Sequence, residues 1–366
     1  MKPNPFILPL ALALLACAGA PASPAVPTPP SATPPPALAS PPTPAPISPT
    51  PPPLTRILFT GDINPGRCVA RAAMEADDFT LPYQAVADEL GSADITVGSL
   101  DGSITDRATP MDCPQTMNLV GPARTAEGLL FAGFDVITVA TNHIKNCGQA
   151  GCWDDALSDT MNNLSAVGIA TVGGGSTLSS ARAPLIVEHN GTRFAFLAAS
   201  SIGREMWATE TEPGTAPLLA ETIAADIVAA RTIADVVIVL PQWGSEYTDI
   251  PNWEQFNLAG AMMEAGAALV IGNQAHWVQA VETFPNGVVA YALGNFVFDQ
   301  GWSEKTKQGV VFEAVFRGSD LESWRLLPIV IHDNYQPRWA GPEEAAEILA
   351  GVEQANQQMI IERGTR

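Results

Sequence analysis

The chain has 366 residues, of which 46% are apolar, and sets 18 Lys and Arg against 38 Asp and Glu for a formal charge of −20. That balance excludes a phosphate-backbone binder, which needs clustered cations, so nucleic acid is not an expected partner. A polyanionic ligand is repelled as well, except where an arginine or a metal ion reverses the sign locally.

The first segment is not fold. Lys2 followed by the apolar run Phe6 to Ala16 reads as a signal peptide, too short for the roughly 20 residues a membrane-crossing helix needs. Leu14-Leu15-Ala16-Cys17 closes the run like a bacterial lipobox, in which the cysteine is lipidated. Residues 1–17 are therefore expected to be a lipoprotein-type signal ending at Cys17. The protein is then extracytoplasmic and anchored to the membrane without spanning it. Between Pro21 and Pro53 lie 16 of the 33 prolines, and no charged residue occurs between Lys2 and Arg56. Residues 18–54 read as a proline-rich tether, either a semi-rigid spacer at about 3.1 Å per residue or a disordered linker with no spacing role.

Residues 55–366 suffice for one large domain. Arg56 to Thr60 reads as a strand, Pro82 to Leu90 as a helix, Ile95 to Leu100 as a strand and Arg124 to Ala132 as a helix. Asp135 to Ala140 and Trp153 to Val167 complete a third strand-helix unit, which predicts a parallel sheet at the front. Ala216 to Ile233 reads as helix, Val236 to Leu240 as strand, Asn252 to Ala265 as helix and Leu269 to Ile271 as strand. Val278 to Thr283, Val288 to Tyr291, Gly309 to Phe316 and Ser323 to Ile331 then look like antiparallel strands joined by turns such as Pro285-Asn286-Gly287. Two packed sheets with helices outside accommodate both halves.

Five polar clusters stand where apolar stretches end: Gly61-Asp62, Asp101, Asn142-His143, Gln242-Trp243-Gly244 and Asn273-Gln274-Ala275-His276. Strand ends are where α/β folds gather their chemistry, so these clusters are expected to form one site. Asp62 and Asp101 offer carboxylates, His143 and His276 imidazoles and Asn142 a carbonyl oxygen, a donor set for a hard or borderline divalent ion. Such an ion would assist hydrolysis or transfer at a phosphoryl or acyl centre. Arg67 suits a substrate anion, and Glu246 suits a base or a ligand. His276 is assigned to both the metal and the catalytic set. Each residue has a plainer reading too: Asp62 as a cap or turn former, His276 as a satisfied buried histidine, and Asn295 as a holder of turn geometry. His189 and His332 read as structural or surface residues. Trp243, Trp253, Trp277 and Trp302 read first as core and second as a polymer groove. Once Cys17 is set apart, Cys68, Cys113, Cys147 and Cys152 form an even set in an exported chain. The short separation favours Cys147 with Cys152, which leaves Cys68 with Cys113, and such cross-links would hold the loops that present the clusters.

The segments Gly61-Asp62-Ile63-Asn64-Pro65-Gly66-Arg67, Gly133-Phe134-Asp135-Val136 through Asn142-His143, Trp243-Gly244-Ser245-Glu246-Tyr247 and Tyr291-Ala292-Leu293-Gly294-Asn295-Phe296-Val297-Phe298-Asp299 occur in an order that resembles the bacterial CapA family of capsule and poly-γ-glutamate synthesis proteins. The resemblance implies a metallophosphoesterase-type α/β fold, a four-layer αββα sandwich with mixed sheets. It also implies a role in making, attaching or releasing an anionic envelope polymer, with that polymer or its synthesis machinery as partner. The chain departs from the family pattern at four places. Gln242 replaces the histidine before Trp-Gly, Gly272-Asn273-Gln274-Ala275-His276 replaces Gly-His-His-Pro-His, Ser99-Leu100-Asp101 replaces Asn-Leu-Glu, and Asn146 replaces an aspartate after the Asn-His pair. Three imidazoles are thereby lost, and amides bind transition metals poorly. A reduced site follows, with one divalent ion (Mn, Zn, Fe or Mg) or none. The readings left open are a polymer-synthesis lipoprotein, a single-metal phosphoesterase or other hydrolase, and a catalytically degenerate polymer-binding module.

Overall fold

The computed structural model describes residues 25, 27, 51–108, 113, 117–147 and 150–364. The signal-peptide and lipobox reading of residues 1–17, and nearly all of the tether, lie outside the described residues. The chain divides into the units Met1–Pro49 and Thr50–Arg366, and the second carries both large sheets.

Alternation along the strands builds the layers, because successive side chains on a strand face opposite ways. In the strand Leu54–Ile63, Ile57 and Phe59 enter one apolar cluster while Leu58 enters another. In Thr192–Ser200, Phe194 and Phe196 join Ile57 and Phe59, whereas Ala195 and Leu197 face away. The shared cluster is the interface between two sheets. There the rings of Phe194 and Phe316 meet edge to face at 5.5 Å, each ring burial contributing about 1.5–3 kcal/mol.

The eight-stranded sheet runs in the order Gln336–Trp339, Asp320–His332, Gln308–Arg317, Leu54–Ile63, Ile95–Leu100, Val136–Thr138, Ala170–Val172, with Asn295–Val297 pairing onto Leu54–Ile63 beside this path. The six-stranded sheet runs Val281–Phe284, Gly287–Ala290, Leu269–Ile271, Val236–Gln242, Thr192–Ser200, Leu185–His189. Outside the first sheet, Leu129 of the helix Thr125–Phe131 and Leu157 and Leu164 of Trp153–Ala166 pack with Leu58. Outside the second, Ile223 and Ile227 of Ala220–Ala230 and Met262 of Trp253–Ala265 pack with Leu197 and Val239. This is the four-layer αββα sandwich with mixed sheets that the resemblance implied.

Several expectations need correction. The parallel front and much of the antiparallel rear share one sheet, since Gln308–Arg317 returns antiparallel beside Leu54–Ile63. The hairpin Val281–Phe284 with Gly287–Ala290 is antiparallel within itself, yet Gly287–Ala290 joins Leu269–Ile271 in parallel. Pro82 to Leu90 is not one helix: Pro82 sits in the 3-10 turn Leu81–Tyr83, and a helix of four residues follows at Ala87–Leu90. The expected helix from Ala216 starts only at Ala220, because Ala216 and Pro217 pair with the end of Thr192–Ser200. Sequence reading missed the helix Arg67–Ala76, the hairpin Leu185–His189 with Thr192–Ser200, and the C-terminal helix Pro342–Gly364. No described helix is long and apolar enough to cross a membrane.

Register breaks in Leu54–Ile63 between Phe59 and Asp62, where the strand also meets Asn295–Val297. A Cβ added at Gly61 would lie 1.9 Å from the Gly294 carbonyl oxygen, so only glycine permits this approach. Gly61→Ala is therefore expected to lower the unfolding free energy by about 1–3 kcal/mol, measured by urea denaturation. An unchanged midpoint would contradict the contact.

Candidate functional site

The five strand-end clusters come together at the C-terminal ends of parallel strands from both sheets. Asp62 ends Leu54–Ile63, Asp101 follows Ile95–Leu100, and Asn142-His143 follows Val136–Thr138. Gln242 ends Val236–Gln242 and bridges to Asn273 after Leu269–Ile271. The backbone is locked in place: Asp101 N–H donates to the Ile63 carbonyl at 2.8 Å, and Asp62 N–H to the Gly294 carbonyl at 3.0 Å.

Polar bonds then staple one sheet to the other. The Gln242 Oε1 accepts from the Asn142 backbone N–H at 2.9 Å and from Ser200 Oγ at 2.7 Å, while its Nε2 donates to Asn142 Oδ1 at 2.9 Å. The Gln274 backbone N–H donates to Asp62 Oδ2 at 3.3 Å, and its side chain donates to Glu246 Oε1 at 3.3 Å. His276 Nδ1 stands 2.9 Å from Asn295 Oδ1 and 3.4 Å from Asp62 Oδ2. Two acceptors on one ring nitrogen assign it the proton. Burial opposes the imidazolium, yet Asp62, Asp101 and Asn295 outweigh it and raise the His276 pKa to about 9. Burial also pushes the Asp101 carboxyl up, against the pull of His143 and with the push of Asp62. His143 Nδ1 is held at 2.8 Å by Asn146 Oδ1, which also accepts from the Leu119 N–H.

A cavity of about 310 Å³ opens beside this network, walled by Arg67, Asp101, His143, Glu246, Tyr247 and His276 with apolar Leu119 and Phe298. Arg67 starts its helix at φ 51° and pairs with buried Asp299, which also accepts from Asn64 Nδ2 at 3.0 Å and from the Cys68 N–H at 3.2 Å. Tyr247, Gln274 and His276 also sit at positive φ, at 58°, 95° and 56°. Such backbone costs about 1–3 kcal/mol per residue and clusters at functional sites. The structure contains the disulfides Cys68–Cys113 and Cys147–Cys152, the first beside Arg67 and the second beyond Asn146.

The cavity thus gathers Arg67, Asp101, His143, Glu246 and His276. Asp62 is buried against His276, and Asn142 turns instead to Gln242. Sequence reasoning missed Asp299, although it ends one of the family-like motifs, and it missed Ser200, which carries no local signal. Asn295 does more than hold a turn: it orients His276 and donates to Gln300 Oε1 and the Thr306 carbonyl. Trp243 is fully buried, and Trp302, about half exposed, stands at the cavity rim. His189 lies 3.1 Å from Asp94 and His332 beside Asp333, away from the site.

The donor set does not fit a complete two-metal centre. Gln242 and Gln274 stand in place of imidazoles, and both are spent on other bonds. The Asn142 oxygen is likewise taken. Among the described residues, no three His, Cys, Asp or Glu side chains group as metal ligands.

Gln242→Ala strips partners from the Asn142 and Ser200 groups, and the expected cost is about 1–3 kcal/mol by urea denaturation. Because the His276 pKa is raised from 6.5 to about 9, its stabilisation is full below pH 6.5 and is lost as pH rises through about 9. His276→Gln should flatten that loss in a stability-against-pH series, and an equal slope in both proteins would contradict the assignment.

The bacterial capsule synthesis protein PGA_cap model matches residues 56–300. The Bacillus subtilis (strain 168) PGA biosynthesis protein CapA is 28% identical over 277 residues, covering 75% of this chain and 71% of that protein. The Bacillus anthracis capsule biosynthesis protein CapA is 27% identical, over 75% of this chain and 66% of that one. Among solved structures, a putative 5'-nucleotidase from Staphylococcus aureus is similar with a TM-score of 0.46 at 13% identity, over 81% of this chain and 58% of that one, too distant to carry a conclusion. On the span of the family match, the chain belongs to the bacterial capsule synthesis protein PGA_cap family.

Proposed function

We propose that this chain is a cell-envelope protein that takes part in the synthesis of an anionic capsule polymer of the polyglutamate kind, and that the cavity beside Asp101 holds that polymer. The observation that carries the reading is the extent of the family match. Residues 56–300 take in all five strand-end clusters and nearly the whole cavity wall. The relatives named for PGA and capsule biosynthesis support the choice of polymer.

The charge distribution supports it too. A protein of net charge −20 repels a polyanion over most of its surface. Arg67 sets a guanidinium in the cavity wall, where one carboxylate of an anionic chain finds a cationic partner. For a transfer or hydrolysis step the same wall offers Arg67 to neutralise the substrate anion, Glu246 to accept a proton, and His276 to hold charge at the reacting centre. The spent amides of Gln242 and Gln274 favour holding the polymer over metal-assisted hydrolysis of it, which makes a polymer-binding module the second reading.

In this proposal Cys17 carries the lipid, residues 18–54 lift the domain away from the membrane, and the synthesis machinery is the partner. Deleting the gene is expected to abolish or sharply reduce cell-associated polymer, assayed chemically, with restoration by the intact gene. Cys17→Ser should move the protein from the membrane to the soluble fraction. Unchanged polymer in the deletion strain would sink the functional reading, and an unmoved Cys17→Ser protein would sink the anchor.

A further inference from the structure

We propose that the cavity between Arg67 and Asp101 takes the amino-terminal end of an anionic chain, with a carboxylate on the guanidinium and the terminal ammonium on the Asp101 carboxylate. This rests on the polymer reading and adds which part of the polymer enters.

The cavity volume of about 310 Å³ gives room for one residue of such a chain. Its wall sets Arg67 against Asp101 and Glu246, a bipolar lining that matches a ligand carrying both signs. Asp101 itself points most directly to a ligand. It is 2% exposed, and its Oδ1 has no hydrogen-bond partner among the described residues. A buried carboxylate oxygen left without a donor is costly, and an N–H of the ligand would relieve it.

Ligand chemistry decides between the middle of a chain and its end. Each interior unit of a γ-linked glutamate chain carries a free α-carboxylate, but its nitrogen is a neutral amide. Only the amino end carries an ammonium beside a carboxylate. Leu119 and Phe298 give apolar contact for the methylenes of that unit. The site then reads one feature per chain, independent of chain length.

The test titrates two synthetic γ-linked triglutamates, one with a free amino terminus and one N-acetylated, into the purified full chain by calorimetry at pH 7, with and without EDTA. The free-amine peptide is expected to bind at least about tenfold more tightly, as loss of one charge-assisted hydrogen bond implies. Asp101→Asn should erase most of that ratio by weakening the free-amine peptide far more than the acetylated one. Glu246→Gln, at an exposed position on the cavity wall, should narrow it by a smaller factor. Equal affinity for the two peptides overturns chain-end recognition yet leaves the polymer reading standing, which fails separately in the deletion strain. Binding of neither peptide overturns the proposal. So does binding that EDTA abolishes, because Asp101 would then hold a metal ion.

Discussion

The Gln242 carboxamide is the joint on which the site depends. It belongs to one sheet, and both of its hydrogen bonds to Asn142 reach the loop beyond a strand of the other. Buried amides must find partners, and a paired carboxamide satisfies donor and acceptor together. At the position where the family pattern carries a histidine, this chain thus substitutes a self-contained polar clasp. These bonds close the edge where the sheets meet.

From that joint the rest of the site takes its form. The Asp62, His276 and Asn295 chain makes a second staple along the same edge, again using short side chains at strand ends. These bonds fix the back wall, and the positive φ of Gln274 and His276 is the conformational cost of bringing their side chains there. Arg67 is set from the opposite side by Asp299, itself held by Asn64 and the Cys68 N–H. What is left between the walls is a small bipolar cavity in a strongly acidic protein. The Arg67 guanidinium offers a carboxylate a cationic partner there, in a protein whose net charge of −20 repels a polyanion.

Much of this was legible in the sequence, for identifiable reasons. Buried parallel strands read as apolar runs, so their ends, at Asp62, Asp101, Asn142 and Gln242, could be marked before any fold was known. Cys147 and Cys152 are close enough in sequence to suggest their own pairing. Other features depend on contacts that no local pattern encodes. The Gln242 and Asn142 bonds span 100 residues, and the Arg67 and Asp299 pair spans 232. Ser200 looks like any residue closing an apolar strand. The rear hairpins read as antiparallel, but nothing local told which sheet they joined or that Gly287–Ala290 also pairs in parallel with Leu269–Ile271. Departures from the family pattern carried the most information, since two of the three lost imidazoles, at Gln242 and Gln274, reappear as amides with internal partners.

The most direct measurement of whether the clasp replaces an ion is a crystal structure of residues 55–366 grown with excess manganese, with an anomalous difference map at the strand ends. The expected result is the Gln242 and Asn142 bonds intact and no anomalous peak between those side chains. A peak there, with Asn142 turned from Gln242 toward the ion, would contradict it.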